Sequence, residues 1–445
     1  MNDRPNMLEQ KILANEIPAE VRNLSHQCRT TLFEQLLILI TIVVLPLENH
    51  FPAVAGMSVS FLVFATLATY VVVSRPRALG NVWYHPVFIA AYVFIAVSAL
   101  LEFSSPLSRY DTIVRFAFMI GGAVCLAVLC RDRAGVTVGL YGYMAAGLWV
   151  SIYLYLASYG TINAMGSAES FHEASKIRAQ AFEDKSLAAN INALAFSCTQ
   201  GAVVAFTLAL AGSVKQRRIL FLGIAAFCLV ASFLPMSRGA AIITLVSFAA
   251  ILYARGIRHG KTLILAAILG LSIYTVVPDA VWSRMAYSSE AQDGKMEGRA
   301  RVYTTAFNRL PEYIVAGVGA GNFWNKWGYE EGFATRKADG YELKGAHNSP
   351  LQIAITWGIG GLLSYVGIVW CVYRSIPLRC GRDAISLALL GIIISLGLWM
   401  CESHSFYDKW FACGIGMLVG ARRWIWPAGT VADMEGNQRP SRAQI

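Results

Sequence analysis

Charge is scarce in this chain. Only 14% of its 445 residues are Asp, Glu, Lys or Arg, well below the share in a soluble domain. With 56% hydrophobic residues and a mean hydropathy of +0.51, it lacks the polar surface to stand alone in water. It has no CxxC pair among its nine cysteines and no cysteine in the long hydrophilic stretch 279–348, which excludes a disulfide framework and a zinc cluster. Cys125, Cys130, Cys228 and Cys413 instead lie in or beside apolar runs. The residues through Arg29 hold no apolar core, so the plan of a cleavable signal peptide is missing and the first helix is expected to stay as an anchor. The net charge of +10 forms no continuous basic face, which speaks against nucleic acid. Acids are paired only in isolation, as Glu183 with Asp184 and Glu402 with Asp408, which does not describe a divalent-metal site.

What the chain has in abundance is apolar runs near the length that crosses a bilayer, about 20 residues. They predict an all-α, polytopic membrane bundle of about twelve helices, near 31–47, 53–73, 83–101, 111–130, 136–159, 187–212, 219–234, 239–254, 262–278, 349–373, 384–401 and 409–426. A cytoplasmic segment 1–30, a transmembrane domain 31–426 and a cytoplasmic tail 427–445 follow from that reading. Alternate loops are basic: Arg75 and Arg77; Arg131 and Arg133; Lys215, Arg217 and Arg218; Arg255, Arg258 and Lys261; Arg374, Arg379 and Arg382. Because Lys and Arg are retained on the cytoplasmic side, these loops and both termini are expected there. The long segments 160–186 and 279–348 then face outward. Within the second, Val302, Ala306 and Leu310, with Tyr303 and Phe307, recur at helical spacing and predict an amphipathic helix, ended by Pro311 and the glycines of GVGAGNF.

The outward segments carry the residues suited to chemistry. Arg178 stands in KIRAQAFEDKSLAANINA, Arg238 in PMSRGAA, Arg301 in RVYTTAFNRL and His347 in GAHNSP, with the acids of CESHSFYDKW beside the last span. An arginine near a helix end ordinarily snorkels to the headgroups. Arg238 is less ordinary, because it occupies a turn on the face where positive charge is disfavoured; Ser237 and Gly239 beside it allow a tight turn with backbone N–H groups open to an anion. Asn348, Ser349 and Pro350 are helix-start residues, which leaves His347 unexplained by capping. GVGAGN follows a helical pattern rather than a strand, so it is not a dinucleotide fingerprint. Three arginines and a histidine on one membrane face suit a phosphorylated lipid: guanidinium forks match phosphate oxygens, and an imidazole takes a proton from an attacking hydroxyl. A transporter is the reading of another class, with Glu34, Arg115 and Glu402 as pathway charges, but no internal repeat of the kind transporters show is present.

At RAQAFEDKSLAANINALAF, SRGAAIITL, RVYTTAFNRLPEYIVAGVGAGNF and AHNSPLQIAITWGIGGLL, in that order over roughly residues 160–420, the chain resembles the O-antigen ligase and O-antigen polymerase superfamily of bacterial inner-membrane enzymes. The resemblance implies a GT-C-like helical fold, a periplasmic site, and a cofactor-free, metal-independent inverting transfer from an undecaprenyl-diphosphate-linked glycan. It also implies that Arg238 and Arg301 hold the donor diphosphate with help from Arg178, Arg299 standing two residues from Arg301. His347 would act as base or orient the acceptor, which is lipid A core for a ligase and another lipid-linked glycan for a polymerase; the ligase is the favoured expectation.

Overall fold

A computed structural model of the chain describes residues 29–47, 59–103, 110–164, 191–212, 214–256, 299–320, 335–337, 340–342, 348–376, 383–402 and 408–424, with isolated positions at 173–177 and 275–282. The elements are α1 (Leu32–Val43), α2 (Val59–Ser74), α3 (Pro76–Trp83), α4 (Pro86–Phe103), α5 (Asp111–Leu129), α6 (Arg133–Ala164) and α7 (Ile191–Ala211). They continue with α8 (Lys215–Phe233), α9 (Arg238–Ala254), α10 (Arg299–Asn308), α11 (Leu310–Tyr313), α12 (Ser349–Ser375), α13 (Ala384–Glu402) and α14 (Lys409–Trp424). Eleven of the twelve expected spans have a helix at their place, and 262–278 lies almost wholly outside the described residues. Among the described residues seven helices, α4 to α8, α12 and α13, are long and apolar enough to cross a membrane.

Two elements differ from expectation. The loop read between 73 and 83 is helical: α3 follows α2 at a bend of 108°. Pro76 explains the break, because Pro cannot continue a helix but suits its first turn. An antiparallel hairpin, β1 (Thr335–Lys337) with β2 (Gly340–Glu342), interrupts the otherwise helical fold. Its register pairs Thr335 with Glu342, Arg336 with Tyr341 and Lys337 with Gly340.

Buried ion pairs fix one end of the bundle. Thr31 and Glu34 form a reciprocal cap at the start of α1, Thr31 N–H to Glu34 Oε2 at 2.7 Å and Glu34 N–H to Thr31 Oγ1 at 3.2 Å. Glu34 is fully buried and also accepts from Arg75 Nε at 2.8 Å and from Arg131 Nη2 at 2.8 Å. One carboxylate thereby ties the α2–α3 corner and the α5–α6 corner to the first helix. Arg133 pairs with Asp383 at 3.0 Å before α13, and Arg255 at the end of α9 feels the charge of Arg218 near the start of α8. Three of the basic loops, those of Arg75, of Arg131 with Arg133, and of the segment before Asp383, therefore meet through the ion pairs, and some of their arginines are structural.

Small residues set the helix spacing. Gly147 of α6 and Gly201 of α7 approach so closely that a Cβ on either would lie within 2.7 Å of the other's Cα. Gly416 and Gly420 of α14 lie against backbone carbonyls of Ala123, Ala127 and Cys130 on α5, the small-xxx-small arrangement that lets membrane helices pack by backbone contact. Buried polar groups then find partners across the contacts: Gln200 Nε2 donates to Ser395 Oγ at 2.7 Å, and Thr199 and Thr244 hydroxyls stand 2.8 Å apart.

Candidate functional site

The end opposite Glu34 is where α4 and α13 finish and where α2, α9, α12 and α14 begin. α9 starts here because Ser237 adopts an extended backbone and its Oγ accepts the Ala240 N–H. Met236 before it has φ of 55°, a left-handed conformation that a non-glycine residue adopts at some cost. The turn that places Arg238 is thus held by its cap. Arg238 itself is exposed on this corner, outside the bundle interior, so the cost of a cation within the apolar core does not arise. One N–H expected to be open to an anion, that of Ala240, is already taken by Ser237. Gly239 packs on Glu402: a Cβ there would sit 2.6 Å from the carboxylate carbon.

The second corner is built on a broken helix. Asn348 caps α12 by accepting the Leu351 N–H at 2.9 Å, with Pro350 in the first turn. The helix then breaks at Trp357 (φ −128°, ψ 16°) and Gly358 (φ 62°, ψ −156°). Backbone groups freed inside a membrane bundle must be paired elsewhere, and here residues 314–319 pair them. Val318 N–H donates to Ile355 O at 3.0 Å, Gly319 N–H to Thr356 O at 2.9 Å, and Ile359 N–H to Ile314 O at 2.7 Å. Only glycine fits Gly317: its φ is +75° and a Cβ would lie 2.1 Å from Thr356 O. The GVGAG run is therefore a backbone clasp on α12.

α10 rests on this clasp. Val302, Ala306, Tyr313 and Ile355 form a small buried cluster, with Tyr303, Leu310, Val318 and Leu351 packed around it, and the Tyr313 hydroxyl donates to Ala306 O. Burial, with Glu312 adjacent, pushes the Tyr313 phenol up to about 12, so it remains a donor. The amphipathic face expected from sequence is thus seen, with one correction: Phe307 is 63% exposed and lies off it, because Thr305 occupies the buried side instead. Arg301 precedes Val302 on α10, and Arg299 opens that helix.

Glu102 holds the clasp from beneath. It ends α4, is fully buried, and accepts from Trp357 Nε1 at 3.0 Å and from Ala320 N–H at 3.1 Å. Sequence reasoning missed it; its signal is a single acid closing an apolar run, ALLEF. The acids of the last segment have local duties: Asp408 accepts from Trp399 Nε1 at 3.0 Å and from Trp410 N–H at 2.9 Å, and Lys409 donates to Ser60 at 2.5 Å.

The structure thus brings the helix bearing Arg301 against the first half of α12, whose capping residue follows His347 directly. The Arg238 corner joins this one through α13, which packs against both α9 and α12. Arg178 and His347 lie outside the described residues. The charges suggested for a transport pathway are separated: Glu34 is buried in ion pairs at the basic end, Arg115 is exposed on α5 and Glu402 is at the opposite end. No group of three His, Cys, Asp or Glu able to hold a metal occurs among the described residues.

Residues 223–366 match the family model for O-antigen ligase. No curated protein matches the chain. The matched stretch runs from within α8 to within α12. It contains Arg238, Arg301, the glycine clasp and His347, and leaves out Arg178 and Glu102. Over that stretch the chain is therefore similar to the O-antigen ligase and polymerase superfamily, and its long apolar helices mark it as a membrane protein.

Proposed function

We propose that this chain, similar to O-antigen ligases over residues 223–366, transfers a glycan from undecaprenyl diphosphate to lipid A core at the periplasmic face of the inner membrane. A GT-C-like bundle of about twelve spans carries the site on the end opposite the basic loops. The observation that supports the reading is convergence: the Arg238 corner, the Arg301 helix and the residue following His347 all belong to that end and to the family-matched stretch.

In this reading Arg238 and Arg301, assisted by Arg178, bind the donor diphosphate through guanidinium forks. An acceptor hydroxyl attacks the anomeric carbon from the face opposite the diphosphate. The new O–C bond forms as the C–O bond to phosphate breaks, and the lipid diphosphate leaves with the electron pair. His347 accepts the hydroxyl proton, and the arginines stabilise the charge that grows on the leaving group. The reading calls for no metal or cofactor. An O-antigen polymerase would use the same donor corner with a lipid-linked glycan as acceptor.

Purified protein in detergent, given lipid-linked glycan and lipid A core, should form glycosylated core without any ion gradient. In a strain that makes O-antigen, deletion should leave polymerised glycan on undecaprenyl diphosphate and none on lipid A core. Core capped by a single repeat would reassign the chain to polymerisation, and transport across sealed vesicles without glycosyl transfer would remove it from the enzymes.

A further inference from the structure

We propose that the basic end of the bundle carries a binding site for the headgroup of an anionic phospholipid. A cavity of about 390 Å³ opens between the α3–α4 turn and the end of α14, lined by Gly80, Asn81, Tyr84, His85 and Arg423 among others. That volume lies within the range of small-ligand sites. Among the described residues that line it there is no carboxylate, and Arg423 and Asn81 carry N–H groups of the kind that meet phosphate oxygens. Burial, with Arg423 and Arg422 facing it, holds the His85 imidazole down at about 4. At neutral pH it is therefore uncharged, and the positive potential at the cavity is that of the arginines. Nothing in glycosyl transfer at the other end of the bundle uses this place.

The surroundings favour a bilayer lipid over free phosphate. Tyr84 on the cavity wall is 75% exposed and Trp83, next to it in sequence, 44%, the residue types that settle at the headgroup level of a membrane. From Pro86 on the cavity wall, Ile89, Val93 and Leu100 repeat along one face of α4, and all are exposed. A phosphate seated beside Arg423 would leave its acyl chains along that stripe, so head and tail are both matched. Basic pockets between helices on the cytoplasmic side suit anionic headgroups for the same electrostatic reason.

The test uses the full chain purified in neutral detergent, with short-chain phosphatidylglycerol, short-chain phosphatidylcholine and inorganic phosphate as probes and native mass spectrometry as readout. Phosphatidylglycerol should bind at least about ten-fold tighter than phosphatidylcholine, and Arg423→Gln should remove about ten-fold or more of that affinity, the scale of one lost charge-assisted contact. Gly80→Leu is the second variant: Gly80 lines the cavity and no atom lies within 4 Å of a Cβ there, so the wall accepts a larger side chain, which should weaken binding while leaving the protein monodisperse. Equal binding of both lipids, or full phosphatidylglycerol affinity in Gly80→Leu, would overturn the proposal. Displacement of phosphatidylglycerol by inorganic phosphate at equal concentration would overturn the lipid assignment in favour of a free-anion site.

Discussion

Arg238 is the residue whose role is easiest to isolate. It is exposed, and Ser237 caps the helix that it opens, so Arg238→Ala should still insert normally. Its effect on transfer should be large, about ten- to a hundred-fold, if a charge-assisted contact with the donor diphosphate is lost. Arg301→Ala should behave alike and Arg301→Lys should recover only part of the activity, because an ammonium lacks the two-pronged fork; full activity in both alanine variants would remove these residues from the site. His347→Ala should reduce turnover about a hundred-fold with donor binding retained, and wild-type activity should rise with pH through the histidine's titration, since only neutral imidazole accepts a proton. His85 gives a separate pH signal. Burial holds its folded value at about 4, below the ordinary imidazole value of 6.5, so the folded state resists protonation and loses stability as pH falls from about 6.5 through about 4. A shallower loss in His85→Gln, read by thermal unfolding across that range, is the expected outcome; an unchanged slope would count against it.

The element on which the site turns is α12, which is two helices joined at Trp357 and Gly358. Its break is stable because the glycine clasp pairs the freed backbone groups and because Glu102 receives both the clasp and the Trp357 indole. Replacing Glu102 by Gln keeps the shape but weakens two hydrogen bonds that its buried side chain accepts. It should cost about 1–3 kcal/mol of stability and, since α10 leans on the clasp, lower transfer as well. Gly317→Ala should be worse than Glu102→Gln in both respects, because it adds a left-handed backbone penalty to a direct clash with Thr356 O. Thermal unfolding and transfer assays on the same preparations check this order, and a stable, active Gly317→Ala would show that the clasp is not needed.

The whole molecule is organised by which ends are basic. Glu34 joins three chain segments at one end, and the Arg238 and Arg301 corners stand at the other, so topology and site location are tested together. In a background lacking the nine native cysteines, a cysteine at Ser289 should react with an impermeant maleimide once the outer membrane is permeabilised, while one at Ser213 should not. The reverse pattern would turn the protein over and move the proposed donor corner to the cytoplasm. The glycines of α14 belong to the same scale: Gly420→Leu should separate α14 from α5, since its Cβ position already lies 2.7 Å from Cys130 O, and reduce the yield of folded protein.

Hydropathy located the helices and the alternation of Lys and Arg grouped their ends, because insertion into lipid depends on apolar length and flanking charge, quantities that a linear sequence carries. The start of α12 at Asn348 and the Val302–Ala306 face of α10 were legible for the same reason: each is a local pattern of residue types, whereas Ser237 read as part of a turn with open N–H groups and instead caps α9. The match over residues 223–366 is likewise a property of sequence. What tertiary structure alone decided is how distant residues serve one another. Glu34 read as a pathway charge of the transporter alternative until Arg75 and Arg131 closed on it, and Glu102 drew no notice until Trp357 and Ala320 met its side chain across more than two hundred residues. GVGAG read as a helix breaker, while its glycines hold open a break in a different helix. The cavity beside Arg423 exists only where the α3–α4 turn and the end of α14 come together. Such contacts depend on the relative placement of helices, which is set by side-chain packing and backbone pairing summed over the bundle, and no local pattern in the chain encodes that sum.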